Sequence, residues 1–143
     1  MTNRNISGNI VVFSKRKELK KILKIIQKFL KPYNPSNDFK LELNLVIEEI
    51  FLNIIKHGYK LSEDKEIKIS YTIEETQAIN IEFVDKGILF NPLIYINDLE
   101  AYIQNIDYEK SGLGLIIIKS NVDEISYKNE NNHNIMNIKK IIK

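Results

Sequence analysis

The sequence has no cysteine, only two histidines, three prolines and five glycines. Without cysteine there is neither a disulfide framework nor a thiolate metal site. The two histidines, His57 and His133, lie far apart in the chain, which argues against an all-histidine metal centre. No stretch approaches the roughly 20 apolar residues that a membrane span needs. The opening segment, MTNRNISGNIVVF, is too polar to read as a signal peptide. An excess of charge is missing as well: 21 basic and 19 acidic side chains leave a net +2, too little to draw the chain toward nucleic acid. The expectation is a cytoplasmic protein with no membrane partner and no direct nucleic-acid partner. What is present, 43% hydrophobic and 28% charged residues in 143, suits a single globular domain over residues 1–143.

Periodicity orders the elements. NIVVF (9–13) reads as a short strand, and Ser14 is placed to cap a helix that runs to about Lys31. In that helix Leu19, Ile22, Leu23, Ile26, Phe29 and Leu30 recur at helical spacing. Its lysines read as a solvated face rather than a nucleic-acid or membrane surface. Pro32 and Pro35 end it. A second helix is expected from near Asp38 to His57, with Gly58 as its stop. EIKISYTI (66–73) and AINIEFV (78–84) alternate as an antiparallel hairpin around Glu74–Gln77. Residues 88–110 read as irregular with a short helix, and a third helix starts at Gly114. EISYK (124–128) and NIMNIKKII (134–142) close the chain as a strand pair. Consecutive strand pairs with helices set apart predict an α+β fold, a two-layer sandwich of a mostly antiparallel sheet covered by helices.

The second helix carries a polar group where an apolar stripe is expected. Leu43, Val46, Ile47, Ile50 and Ile54 share one face, and Asn53 falls on its shoulder with Glu49 four residues earlier. Such a pair is often only a solvated helix edge. Alternatively, Asn53 offers an oxygen to a hard cation such as Mg²⁺, and Glu49 polarises a hydroxyl or a water. Glu48 reads as a surface residue, and His57 as a packed histidine favoured by the helix dipole.

Three of the five glycines sit at two further places. Asp85-Lys86-Gly87 follows a strand that reads as buried. Asp85 either caps a turn or accepts a hydrogen bond from the exocyclic amine of a purine, with Gly87 admitting the base close to the backbone. Ser111-Gly112-Leu113-Gly114 opens the third helix, where outward N–H groups favour an anion. Each motif alone has a structural explanation. Their order gives the combination its weight: Glu-x-x-x-Asn on a helix, Asp-x-Gly after a strand, Gly-x-Gly at a helix start.

With these motifs the sequence resembles the Bergerat-fold (GHKL-type) ATPases and, within them, the bacterial anti-sigma-factor serine kinases, over nearly its whole length. LNLVIEEIFLNIIKHGY is similar to their N box, DKGILFNP to their D-x-G-x-x-F-[DN]-P, and SGLGLIIIKSNVDEISY to their second glycine box with its helix. The resemblance implies a cofactor, ATP with Mg²⁺. It makes Glu49 the general base, Asn53 the Mg²⁺ ligand, Asp85 the adenine-binding carboxylate and Gly87 a lining of the base pocket. Ser111, Gly112, Leu113 and Gly114 would lie by the phosphates, and residues 93–110 would form a mobile ATP lid.

Two positions depart from the family pattern. Lys110 stands where an Arg directed at the γ-phosphate is common, which keeps the charge and loses the bidentate fork. Asn134 and Ile135 occupy the stretch where a Thr near the adenine is usual, and no adenine contact is carried over to them. The implied function is a serine kinase that phosphorylates a small anti-anti-sigma antagonist and, when free, holds an RNA polymerase sigma factor. Lys110 would steady the transferring phosphoryl group, and the resemblance also implies a homodimer. Two alternatives stand beside it: an ATP-gated binding module without significant kinase activity, and a signalling subunit that borrows the fold. Position 89 is Leu, so the histidine-kinase form D-x-G-x-G is absent.

Overall fold

The computed structural model describes residues 6–89 and 113–143. In these lie β1 (Ile6–Phe13), α1 (Glu18–Leu30), α2 (Asn37–Asn53), β2 (Glu66–Ile73), β3 (Ala78–Asp85), α3 (Leu113–Ser120), β4 (Glu124–Glu130) and β5 (His133–Ile141). The strands form one sheet in the order β1-β2-β3-β5-β4. Every neighbouring pair is antiparallel, so the α+β two-layer architecture expected from the sequence is the one observed.

Alternation along the strands sorts the two faces. Ile67, Ile69, Ile79, Ile81 and Phe83 are fully buried and meet Ile22, Ile26 and Leu30 of α1 and Leu43, Val46 and Ile47 of α2 in one core. Burying each such side chain stabilises by about 1.5–3 kcal/mol before ordering costs. The intervening strand residues, among them Lys68, Ser70, Thr72, Asn80, Glu82 and Asn137, are exposed or half-buried on the other face. On α1 the apolar stripe is buried and most of the lysines are exposed, which agrees with a solvated basic face.

Several boundaries differ from the sequence reading for identifiable reasons. Ser14 does not cap α1, whose N-cap is Lys17 with no side-chain bond. Its hydroxyl instead donates to the Ser62 carbonyl and accepts from the Lys65 amide at 3.2 Å, tying the end of β1 to the loop before β2. The effective helix cap is Ser36, which accepts from the Phe39 amide at 3.1 Å at the start of α2, a contact of about 1 kcal/mol. α2 keeps α geometry only to Asn53, and Ile54–Gly58 continues as a π-turn. α3 spans Leu113–Ser120, whereas the sequence reading carries a helix from Gly114 through LIIIKSNV to Val122. Glu48 is half-buried rather than a free surface group.

Two consequences of this fold set up the site. The register of β3 against β5 places Asp85 opposite Asn134, although 49 residues separate them. The helix α3 packs against α2, the helix that carries Glu49 and Asn53.

Candidate functional site

The site begins where α2 unwinds. A π-turn widens the helix by one residue per turn, a feature often found at functional sites. Here it brings Gly58 against the end of β3. The Gly58 carbonyl accepts from the Ile88 amide at 2.9 Å. A Cβ on Gly87 would lie 2.5 Å from the Gly58 carbonyl carbon and oxygen, so the two backbones meet at a distance only glycine allows. A Cβ on Gly58 would in turn press on Asp85 Oδ1 at 3.3 Å.

Asp85 is the buried carboxylate of this corner, 5% exposed. Its Oδ1 accepts from the Gly87 amide at 2.8 Å and from Asn134 Nδ2 at 3.0 Å. Burial pushes its pKa up; Asn134, the Gly87 amide and nearby His133 act in the opposite direction. Asp85 closes a turn on Gly87, the first of its two readings from sequence, and also lines a pocket. That pocket has polar corners at Asn53, Asp85, Tyr127 and Asn134 and apolar walls of Ile50, Ile54, Ile118 and Met136. The cavity is small, about 30 Å³, and pairs apolar walls with one carboxylate acceptor.

The second corner lies further up α2. Glu49 is half-buried, and its pKa is raised first by burial and then by Glu48, with Lys56 opposing. A Cβ on Gly114 would collide with the Glu49 carboxylate. Gly114 is itself buried, so the first turn of α3 passes directly over Glu49. A carboxylate with a raised pKa is a better proton acceptor than an ordinary one. Among the described residues no cluster of three or more His, Asp or Glu could hold a metal alone. Asn53 offers one amide oxygen, and Mg²⁺ held by substrate phosphates commonly takes only one or two protein oxygens.

Of the residues singled out from sequence, the structure gathers Asn53 and Asp85 in one pocket, bonds the Gly87 amide to Asp85 and places Gly114 against Glu49. Lys110, Ser111, Gly112 and the lid segment 93–110 lie outside the described residues. For Leu113 only its place as the first residue of α3 is described. Sequence reasoning missed Asn134, Tyr127 and Gly58. Asn134 was noted as a departure, yet only the β3–β5 register reveals it as the partner of Asp85. The sequence signal for Gly58, a glycine at a helix end, has a commoner explanation as a stop. His57 is half-buried, and its pKa is lowered by burial and by Lys56 and Lys60. The half-buried ring agrees with the packed reading, while burial and the two lysines oppose the charged form that a helix C-terminus favours.

The histidine kinase-like ATPase domain matches residues 13–140 of this chain. The chain belongs to that family. Within the family's range, the chain is 29% identical over 100 residues to the anti-sigma F factor of Priestia megaterium, covering 70% of this chain and 67% of the relative. It is 29% identical over 87 residues to the serine-protein kinase RsbW of Listeria monocytogenes, covering 59% and 55%. Among solved structures, the SiaB–SiaC complex of Pseudomonas aeruginosa contains a chain matching at TM-score 0.66 and 15% identity, over 96% of this chain and 88% of that one. The RsbU and RsbW domains of a Mycobacterium tuberculosis protein match at TM-score 0.67 and 11% identity, over 96% of this chain and 32% of the other. At such identities the structures speak for the histidine kinase-like ATPase fold alone. No helix among the described residues is long and apolar enough to cross a membrane.

Proposed function

We propose that the protein is a cytoplasmic, single-domain, Mg·ATP-dependent serine kinase that acts as an anti-sigma factor. It phosphorylates a small anti-anti-sigma protein and in its free state holds an RNA polymerase sigma factor; as a homodimer it would present two such sites. The observation that carries this reading is Asp85: a buried carboxylate at the end of an apolar pocket, with both of the protein hydrogen bonds described above on Oδ1 and neither on Oδ2. The names of its relatives, anti-sigma F factor and serine-protein kinase, support the same reading.

In this reading Asp85 accepts the adenine amine and Gly87 lets the base reach the backbone. Asn53 contributes an oxygen to Mg²⁺. Ser111, Gly112, Leu113 and Gly114 would lie by the phosphates, as the resemblance implies, and Lys110 would steady the transferring phosphoryl group. ATP, when bound, supplies the phosphoryl group. Glu49 orients the acceptor serine hydroxyl and takes its proton, a role that its raised pKa favours. Catalysis is mostly positioning and charge stabilisation, as in phosphoryl transfer generally.

Lys110 in place of a bidentate arginine supports a second reading, an ATP-gated binding module without significant transfer. Calorimetry with Mg·ATP on the wild type, Asp85→Asn and Asn53→Ala, followed by phosphate transfer to a candidate antagonist, separates the two. The kinase reading expects binding that Asp85→Asn weakens by about 100-fold or more, roughly 2.7 kcal/mol, and transfer that Glu49→Gln abolishes. Binding without transfer selects the module, and absence of ATP binding in the wild type rejects both.

A further inference from the structure

Asn134 is one of four buried polar or charged side chains among the described residues, and its amide is bonded on every side. Nδ2 donates to Asp85 Oδ1 at 3.0 Å, to the Ile88 carbonyl at 2.9 Å and to the Gly87 carbonyl at 3.3 Å. Oδ1 accepts from the Tyr127 hydroxyl at 2.5 Å and from Asn129 Nδ2 at 3.1 Å. This set fixes which end of the amide is which, because only the nitrogen can face three acceptors and only the oxygen two donors. The amide has no capacity left for a ligand. It is nevertheless part of the pocket that holds Asp85.

From this saturation we infer that Asn134 is a positioning residue that makes the pocket selective for a purine bearing a 6-amino rather than a 6-oxo group, an inference that rests on the reading of Asp85 as the base-binding carboxylate. Its two amide hydrogens hold the Asp85 carboxylate from one side and the 87–88 backbone from the other. The carboxylate is then locked by two donors on Oδ1, and Oδ2 is presented purely as an acceptor. A 6-amino group donates to such an oxygen, whereas a 6-oxo group sets lone pair against lone pair. Freed from the amide, the carboxylate would rotate or carry a proton, and either change lets it meet a 6-oxo base as well. Tyr127 acts one step further out by holding the amide oxygen.

The test is competitive binding of ATP and ITP, which differ at the purine 6-position, to wild type, Asn134→Ala, Asn134→Thr and Tyr127→Phe in the presence of Mg²⁺. Melting curves confirm that each variant is folded. The expected wild-type preference for ATP is about 100-fold, falling by about tenfold or more in Asn134→Ala. Asn134→Thr retains one hydroxyl donor and recovers part of the ratio, and Tyr127→Phe lowers it two- to fivefold. A merely structural role would weaken both nucleotides together and leave the ratio in place. An unchanged ratio in the folded variants overturns the inference while leaving the ATP reading intact. If Asn134→Ala does not fold, Asn134→Thr and Tyr127→Phe decide the matter. A wild type that binds ATP and ITP equally overturns the base-binding role of Asp85, and the inference with it.

Discussion

Strand β5 buries a polar side chain near each end, and the two ends behave differently. At its start Asn134 joins Asp85, Tyr127 and the 87–88 backbone. At its far end Lys140 reaches Glu42 of α2 at 2.7 Å and the Asn121 carbonyl just past α3 at 2.7 Å, with its ammonium 5.4 Å above the Phe39 ring. The Lys140 cluster is closed. A cation meets an anion, a helix C-terminal carbonyl and an aromatic face, all of which suit positive charge. The Asp85 cluster is open: among the described residues no salt bridge reaches this buried carboxylate, its pKa is raised by that burial, and one oxygen carries none of the bonds described. The contrast sets a closed polar cluster against an open one along a single strand, and the proposed function places a ligand at the open one.

Breaking the open end should have the larger effect. Gly87→Ala drives a Cβ into the Gly58 backbone at 2.5 Å, where no flexible side chain can yield. We expect a loss of about 1–3 kcal/mol in urea unfolding together with loss of ATP binding. A variant of wild-type stability would mean that the Gly58–Gly87 contact is loose. Breaking the closed end should separate stability from function. Lys140→Met should cost about 1–2 kcal/mol, since the Glu42 side chain is 44% exposed and the pair is partly screened. ATP affinity, measured by calorimetry, should stay within about twofold. A large loss of affinity would show that the two clusters are coupled through α2 and α3.

The smallest effect is the one that sharpens the comparison most. Burial raises the Asp85 pKa above 3.8, so the folded protein takes up a proton more readily than the unfolded chain. Its contribution to stability therefore falls as pH rises from about 3.8 through the folded value, and above that window the ionised group is a cost. Asp85→Asn keeps an oxygen to accept from Gly87 and Asn134 and removes the charge. It should melt at or above the wild-type temperature at neutral pH, and this advantage should vanish on acidification to about pH 4. A variant that melts well below wild type at neutral pH would place Asp85 with Lys140 as a structural group.

Much of this protein was legible in one dimension. Alternation in 66–73 and 78–84, helical spacing in α1 and α2, and two consecutive strand pairs determine an antiparallel sheet under helices, because side-chain direction follows the local backbone period. Glu49, Asn53, Asp85, Gly87 and the 111–114 glycine segment stood out for a similar reason: each is a residue type at odds with its local surroundings. The boundaries that failed depended on partners distant in sequence. Ser14 has the chemistry of a helix cap, but the Ser62–Lys65 loop claims its hydroxyl. The end of α2 at Asn53 and the π-turn after it follow from the need to seat Gly58 against Gly87, which no local propensity expresses.

The sequence by itself determined the elements, the buried faces and the residues able to do chemistry, since all three follow from local periodicity and side-chain type. Only the tertiary structure decided which of those residues meet. It set Asn134 opposite Asp85 through the β3–β5 register, closed Gly58 on Gly87, laid Gly114 over Glu49 and buried Lys140 against Glu42. Those pairings join residues from about 30 to nearly 100 positions apart. They are fixed by burial of the shared apolar core, and the polar contacts then form where that packing leaves donors and acceptors face to face.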